Sequence, residues 1–333
     1  MLTNSYKWQM LLFSTLAFSK PQIMANKILT ITLNPTVDKS STVDKIKPEK
    51  KLRCTAPKYE PGGGGINVSR GLERLGIKST ALFFSGGRTG ELLEKLLDEE
   101  NIFVNTIQTS AETRENFIVV DKSHNDQYRF GMPGDPVTDS EIKDLIRIVN
   151  SLSPFPEIVI ISGSLPDGIE PSFMRTLVKD IKAKGAKVIV DTSGEALQEA
   201  LKEGVYLVKP NLGELSTLTG HEELDNESAD EAAMQLINEG KAEIVVVSLG
   251  PQGAYLVSKE KCLHVPAPSV KKLTTVGAGD SMVAGMVSVL ANDGSHADMA
   301  RMGVACGSAA TMGTGTGLFT KANAERLFKW LSK

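Results

Sequence analysis

Short apolar runs alternate with longer amphipathic stretches along most of the chain. The runs Ile28–Leu33, Ser79–Phe84, Ile158–Ser162, Val188–Asp191, Tyr206–Lys209 and Ile244–Leu249 predict strands. Between them, Asn67–Leu75, Gly90–Glu99, Phe173–Lys184, Asp230–Glu239 and Gly279–Asn292 repeat their apolar residues at helical spacing. The strand candidates are near-continuous in Val, Ile and Leu, the pattern of strands covered on both faces. Strand–helix–strand alternation of this kind predicts an α/β fold around a mainly parallel sheet.

Two segments break the rhythm. Thr42–Tyr59 and Asn116–Arg129 show β-type alternation with no helix between their halves, and the second (NFIVVDKSHNDQYRF) reads as a hairpin turning around Ser123–Asp126. Both are expected at one end of the sheet, where they form a small β lid of about residues 42–59 and 116–129. Residues 25–333 then read as one domain. Residues 1–24 read as an N-terminal extension: their apolar run from Met10 to Phe18 is too short to span a bilayer and weak as a signal peptide. Met24 is a natural start, three residues before the strand KILTITL.

Composition narrows the function. The chain has 333 residues and a formal net charge of −3, with no basic excess to meet a nucleic-acid backbone. Cys54, Cys262 and Cys306 are scattered without a CxxC pair, which fits a reducing compartment and neither a disulfide framework nor a zinc site. The four histidines also lack ligand spacing.

The chemistry concentrates in five stretches. TVGAGDSMVAG (Thr275–Gly285) sets Gly277, Ala278 and Gly279 at the mouth of a helix, where free N–H groups and the helix dipole favour an anion. Asp280 would repel a bound phosphate, yet suits a hydroxyl that attacks one: phosphoryl transfer needs an acid to orient that hydroxyl and take its proton late. The other reading is an ordinary acid in a helix first turn. YEPGGGGINVSRGLERLG (Tyr59–Gly76) carries four consecutive glycines before a helix, which let backbone approach a ligand closely, and Asn67 can bond a sugar hydroxyl. No GK[ST] follows, so this is not a P-loop, and the first strand has no glycine at its exit, which counts against a dinucleotide fingerprint and an oxidoreductase. LNPTVD (Leu33–Asp38) puts Asp38 at the exit of the first strand, as a sugar ligand or a turn aspartate. In KPNLGEL (Lys209–Leu215), Asn211 and Glu214 can hold magnesium through water or cap a helix. VVVSLGPQGAYLV reads as a strand, a turn and a returning strand. Lys51, Arg53 and Arg114, in or next to the lid, are the cations available to a phosphate or are solvated surface charges.

Taken together, the glycine stretch, NPTVD, KPN..EL, SLGPQGA and TVGAGD resemble the ribokinase-like sugar kinases from about Lys27 to the end, and within them the minor-type bacterial 6-phosphofructokinases. The resemblance implies a three-layer α/β sandwich whose β lid doubles as a homodimer contact. It implies transfer of the ATP γ-phosphoryl group to the 1-hydroxyl of fructose 6-phosphate in the cytoplasm, with no membrane or nucleic-acid partner; tagatose 6-phosphate and fructose 1-phosphate stay open as substrates, and a non-catalytic sugar-phosphate sensor is the rival of another class. By motif, Asp280 is the base and Gly277, Ala278 and Gly279 the anion hole. Asp38, Gly63, Gly64 and Asn67 hold the sugar, with Lys51, Arg53 and Arg114 near its phosphate. Lys209, Asn211, Glu214, Ser248, Gly250, Gly253 and Ser308 serve MgATP, Glu214 through magnesium-bound water. Some members also bind potassium beside the anion hole; the matching positions are Val276, Ala310, Gly313 and Gly315, in a glycine-rich loop (MGTGTGLF) where other members carry a larger polar side chain.

Overall fold

A computed structural model of the chain describes residues 26–124, 126–221, 224–225, 227–313 and 317–333. The chain enters through β1 (Ile28–Thr32), leaves the main sheet for β2 (Thr36–Val43) and β3 (Lys58–Gly62), and turns at the glycines into α1 (Gly64–Leu75). It runs through β4 (Thr80–Ser85), α2 (Gly87–Glu99) and β5 (Phe103–Gln108), then leaves again for β6 (Arg114–Asp121) and β7 (Asp126–Phe130). Alternation resumes with α3 (Asp139–Ser151), β8 (Ile158–Ser162), α4 (Ser172–Ala183), β9 (Lys187–Asp191), α5 (Gly194–Leu201) and β10 (Val205–Val208). Next come α6 (Leu212–Thr219), α7 (Ala229–Asn238), β11 (Ala242–Ser248), β12 (Ala254–Ser258) and β13 (Cys262–Val265). Three helices close the chain: α8 (Ala278–Leu290), α9 (His296–Thr311) and α10 (Lys321–Leu331).

The main sheet has the order β13-β12-β11-β10-β9-β8-β1-β4-β5. It is parallel from β11 to β5, with β12 and β13 added antiparallel at one edge. Each central strand buries both faces. Leu29, Ile31, Val159 and Ile161 pack with α3, α4, α5 and α7, whereas Ile28, Ile158 and Ile160 pack with α1, α8 and α9. That is why these strands read as unbroken apolar runs, and it makes the three layers of the expected α/β sandwich.

A second sheet, β3-β2-β6-β7, stands over the carboxyl ends of the main strands. Its pairing of β2 with β6 is parallel, in a register that sets Thr36 opposite Arg114 and Asp38 opposite Asn116. The β6–β7 hairpin forms where alternation predicts it, with Asp121 opposite Asp126. The first lid segment differs from its expected 42–59: β2 begins at Thr36, residues 44–57 are loop, and β3 extends to Gly62. The loop is tied near both ends, where the Ile46 amide donates to Asp121 Oδ2 (2.9 Å) and the Ser41 hydroxyl donates to the Thr55 carbonyl (2.8 Å), and its Lys- and Pro-rich sequence otherwise faces water.

Residues 1–25 and Gly315 lie outside the described residues, and with them the expected N-terminal extension. No helix among the described residues is long and apolar enough to cross a membrane.

Candidate active site

Parallel strands collect ligands at their carboxyl ends, and here the ends of β1, β8, β9, β10 and β11 meet the start of α8. Gly277 caps α8 at φ 68°, a left-handed conformation in which a Cβ would also lie 2.5 Å from Leu318 Cδ2. The turn leaves the first amides of α8, at Ala278, Gly279 and Asp280, at the helix mouth, where intrahelical acceptors are lacking. A Cβ on Gly279 would sit 3.3 Å from Lys209 Nζ, so the missing side chain lets that ammonium lie against the helix mouth.

Asp280, in the first turn of α8, is half-buried, and its Oδ2 accepts a 2.9 Å hydrogen bond from Asn67 Nδ2. Burial pushes its carboxyl up to about 6; the Asp191 carboxylate adds to the push, while the Asn67 bond and the Lys209 charge oppose it. A carboxylate tuned upward in this way is a better proton acceptor than an exposed aspartate. Lys209, just past β10, is buried and reaches Asp191 Oδ1 at 3.2 Å. Burial works to lower its pKa, but Asp191 and then Asp280 and Glu214 outweigh that, and the ammonium is held charged. Asp191, at the end of β9, was missed as a site residue from the sequence. Its signal was available, since VIVD ends a parallel strand in a carboxylate just as LNPTVD places Asp38.

On the lid side, Asp38 is buried on β2 rather than at the end of β1 itself, and its Oδ1 accepts from Asn116 Nδ2 (3.0 Å). Burial raises its pKa, against the Asn116 bond and the Arg114 charge. Arg114, opening β6, donates to the carbonyls of Asn34 and Met132 (both 3.1 Å), while its buried Nε has no partner among the described residues. Asn116 is a second residue that sequence reasoning missed; only the β2–β6 register brings it to Asp38. The lid also touches the anion-hole loop, where Arg129 Nη2 donates to Thr275 Oγ1 (3.2 Å). Lys51 and Arg53, expected near a sugar phosphate, stand exposed in loop 44–57, with no hydrogen bond or ion pair to the site among the described residues. Within one chain the loop does not bring them in.

The glycine run is a close-packed turn. A Cβ on Gly62 would be 2.7 Å from Thr36 Cγ2, one on Gly63 (φ 114°) 2.7 Å from Thr32 Cγ2, and one on Gly65 2.6 Å from Thr32 Oγ1. One on Gly64 would land on Ser162 Oγ. The near approach that the four glycines permit is therefore, in the first place, that of β1, β2 and β8. Gly63 and Gly64 still begin α1, where the Gly63 carbonyl accepts from the Asn67 amide (2.8 Å).

Beyond α8 a cavity of about 480 Å³ is lined by Ser248, Gly250 and Gly253 from the β11–β12 turn, by Ala278 and Gly279, and by Ser308 of α9. A void of this size, apolar with a few hydroxyls, suits a nucleoside. Asn211 and Glu214 form a reciprocal capping box at the start of α6, Asn211 Oδ1 accepting from the Glu214 amide (2.9 Å) and Glu214 Oε2 from the Asn211 amide (3.0 Å). No group of three acidic, His or Cys side chains among the described residues could grip a metal ion directly. The Glu214 carboxylate and the Asn211 amide are oxygen donors of the kind a hydrated magnesium ion meets through its water. The loop before the anion hole meets the end of α9, with the Leu273 amide donating to the Thr311 carbonyl (2.8 Å). Val276 lies in that loop, its amide donating to Thr274 Oγ1 (3.1 Å), and the Ala310 carbonyl already accepts from the Gly313 amide (3.2 Å).

Comparison with known proteins shows the family of the chain. The profile of the pfkB family carbohydrate kinases fits residues 23–323. The chain is 45% identical over 308 residues to ATP-dependent 6-phosphofructokinase isozyme 2 of Escherichia coli, covering 92% of this chain and 99% of that one. It is 34% identical over 282 residues to 1-phosphofructokinase of Bacillus subtilis, covering 85% and 91%. Crystal structures of the Escherichia coli phosphofructokinase-2 superpose on it over 92% of this chain and 99% of theirs. The complex with fructose 6-phosphate does so with a TM-score of 0.87 at 44% identity, and the complex with potassium with 0.88 at 45%.

Proposed function

The chain belongs to the pfkB family of carbohydrate kinases, and from that premise we propose that it transfers the γ-phosphoryl group of MgATP to the 1-hydroxyl of fructose 6-phosphate. The observation that carries this reading is the position of Asp280, between the lid-side cluster of Asp38, Asn67, Asn116 and Arg114 and the cavity beyond α8. A sugar hydroxyl on one side and a nucleotide phosphate on the other would meet at its carboxylate.

In this reading Asp38 and Asn67 accept and donate hydrogen bonds to the sugar, and Arg114 neutralises the 6-phosphate. The nucleoside lies against Ser248, Gly250, Gly253 and Ser308. Asp280 orients the 1-hydroxyl and takes its proton as the O–P bond forms, so the nucleophile need not ionise beforehand. The amides at Gly277–Gly279 and the Lys209 ammonium face the charge that builds on the transferred group, in a site already arranged for it. Asn211 and Glu214 would hold water on the magnesium ion, which shields the nucleotide phosphates. Val276, Ala310 and Gly313 are the carbonyl donors available to a potassium ion beside the anion hole, where its positive charge would support the same amides; Gly315, the fourth expected ligand, lies outside the described residues.

The preference for fructose 6-phosphate over fructose 1-phosphate rests on the higher identity to the 6-phosphofructokinase, 45% against 34%. A homodimer through the lid belongs to the same reading, supported by the exposed Tyr128, Phe130 and Met132 on and beside β7, as does a cytoplasmic setting. The test is an ADP-release assay with MgATP and fructose 6-phosphate, tagatose 6-phosphate, fructose 1-phosphate or ribose. Fructose 6-phosphate is expected to give the highest kcat/KM; preference for another sugar would replace the substrate, and turnover of none would overturn the kinase reading.

A further inference from the structure

Behind the site lies a polar chain whose inner members, Arg70 and Glu100, neither substrate would touch. Arg70, on α1 and 1% exposed, forms a forked ion pair with Glu100 at the end of α2, Nε to Oε2 at 2.9 Å and Nη2 to Oε1 at 2.7 Å. Its remaining nitrogen, Nη1, donates to the Pro61 carbonyl (2.8 Å) and to Asn67 Oδ1 (3.1 Å). Asn67 in turn donates from Nδ2 to Asp280 Oδ2.

The geometry is directional. A guanidinium has donors only, so the atom of Asn67 that faces it must be the carbonyl oxygen. With that oxygen engaged, only the amide N–H₂ can turn toward Asp280. Glu100 holds the guanidinium plane in a bidentate fork, which fixes its orientation as well as its position. We propose that Arg70 is a positioning residue for phosphoryl transfer: it fixes the Asn67 side chain so that Asp280 meets a hydrogen-bond donor and never the amide oxygen. This rests on the reading of Asp280 as the proton acceptor.

Without Arg70, Asn67 is free to rotate and present its oxygen to the carboxyl, an arrangement that favours the protonated acid. The other charged groups facing Asp280 would stay as they are: Lys209 and Asp191 beyond β10 and β9, and Asp38 on β2. The base would therefore hold its proton to higher pH, and turnover would fail first on the acid side.

The experiment compares the pH dependence of kcat in the wild type, Arg70→Met and Glu100→Gln. For Arg70→Met the acid limb is expected to move up by about one pH unit, with kcat recovering toward the wild-type value at about pH 8.5. Glu100→Gln, which loosens the ion pair but keeps the Arg70–Asn67 bond, should leave the limb in place even if it lowers Tm. An unmoved limb in Arg70→Met, or an equal shift in Glu100→Gln, would overturn the proposal, the second by reducing Arg70 to a packing clamp. If Arg70→Met is too unstable to assay, Arg70→Lys replaces it, because a point ammonium beside Glu100 cannot also span to Asn67, and the same upward shift is expected. The Asp280 ionisation is read independently by carboxyl ¹³C NMR, with its signal assigned by loss in Asp280→Asn. That measurement needs no substrate, so it judges Arg70 even if the wild type turns over none of the sugars, an outcome that would count against the kinase reading alone.

Discussion

Asp280 and Asn67 are 213 positions apart in sequence and joined by a 2.9 Å hydrogen bond. One opens α8 and the other lies on α1, and those helices pack side by side on one face of the sheet. The bond therefore depends on the whole α1–α8 interface, and the acid is placed by packing as much as by its own loop.

Asp280→Asn keeps the shape of the site and removes the proton acceptor. Turnover should fall by about 10²–10⁴-fold, the usual contribution of a general base. ATP binding, followed by isothermal titration calorimetry, should survive. An unchanged kcat would remove Asp280 from its assigned role.

The raised pKa of Asp280 has two consequences with opposite signs for activity and stability. The base must be ionised, so kcat should decline as pH falls through about 6. For stability, the folded state holds the proton more tightly than the unfolded chain between the model-peptide value of 3.8 and about 6. Stability from this group is then present at low pH and lost as pH rises through that window. Asp280→Asn should accordingly raise Tm near pH 7.5, by roughly 2–4 °C per kcal/mol relieved, and the gain should vanish below pH 4. A variant that melts lower than the wild type at pH 7.5 would contradict the burial argument.

Lys209 is buried and its partner Asp191 only 15% exposed, which makes single truncations costly. Lys209→Met leaves Asp191 without its partner and is expected to lose about 3–5 kcal/mol of folding stability, as broken buried ion pairs do. Lys209→Met combined with Asp191→Asn should recover part of that in urea unfolding while staying inactive. Additive losses in the double variant would show the two groups to be independent.

Arg114→Ala should act on the sugar phosphate. A charge-assisted hydrogen bond contributes about 1.5–3 kcal/mol, so the KM for fructose 6-phosphate should rise about 10–100-fold with the KM for ATP little changed. Equal effects on both would point to a collapsed lid instead.

Phe130 stacks on Phe117 at 6.3 Å between ring centroids, yet remains 48% exposed on β7. Phe130→Asp would put a charge on the surface assigned to the second protomer. Sedimentation velocity should report a dimer for the wild type and a monomer for the variant; two dimers would move the interface elsewhere.

Some of this was legible before any coordinates. Ile158–Ser162 comes out of the sequence with its observed bounds because a strand buried on both faces is apolar until its last residue, Ser162. TVGAGD announces its helix mouth through residues that few other settings would tolerate. Loop 44–57 misled because its alternation of Lys with apolar residues mimics a half-buried strand. α9 (HADMARMGVACGSAAT) has no amphipathic stripe to find: its small residues pack closely against α8 and α10 on several sides. Asn116 and Arg70 were out of reach for a different reason. Each is an ordinary residue at its own position, and only strand register and helix packing bring the two to Asp38 and Asn67.

The glycine turn carries a consequence for evolution. Gly62, Gly63, Gly64 and Gly65 are all walled in, Gly62 by Thr36 of β2, Gly63 and Gly65 by Thr32 of β1, and Gly64 by Ser162 of β8. A side chain at any one of them must displace a strand end before it can meet a sugar. Exchange of substrate through this turn is therefore closed to single substitutions and needs concerted change in β1, β2 or β8. Drift in sugar preference has an easier route along the lid, where Arg114 and Asn116 are set by strand pairing that tolerates a change of side chain.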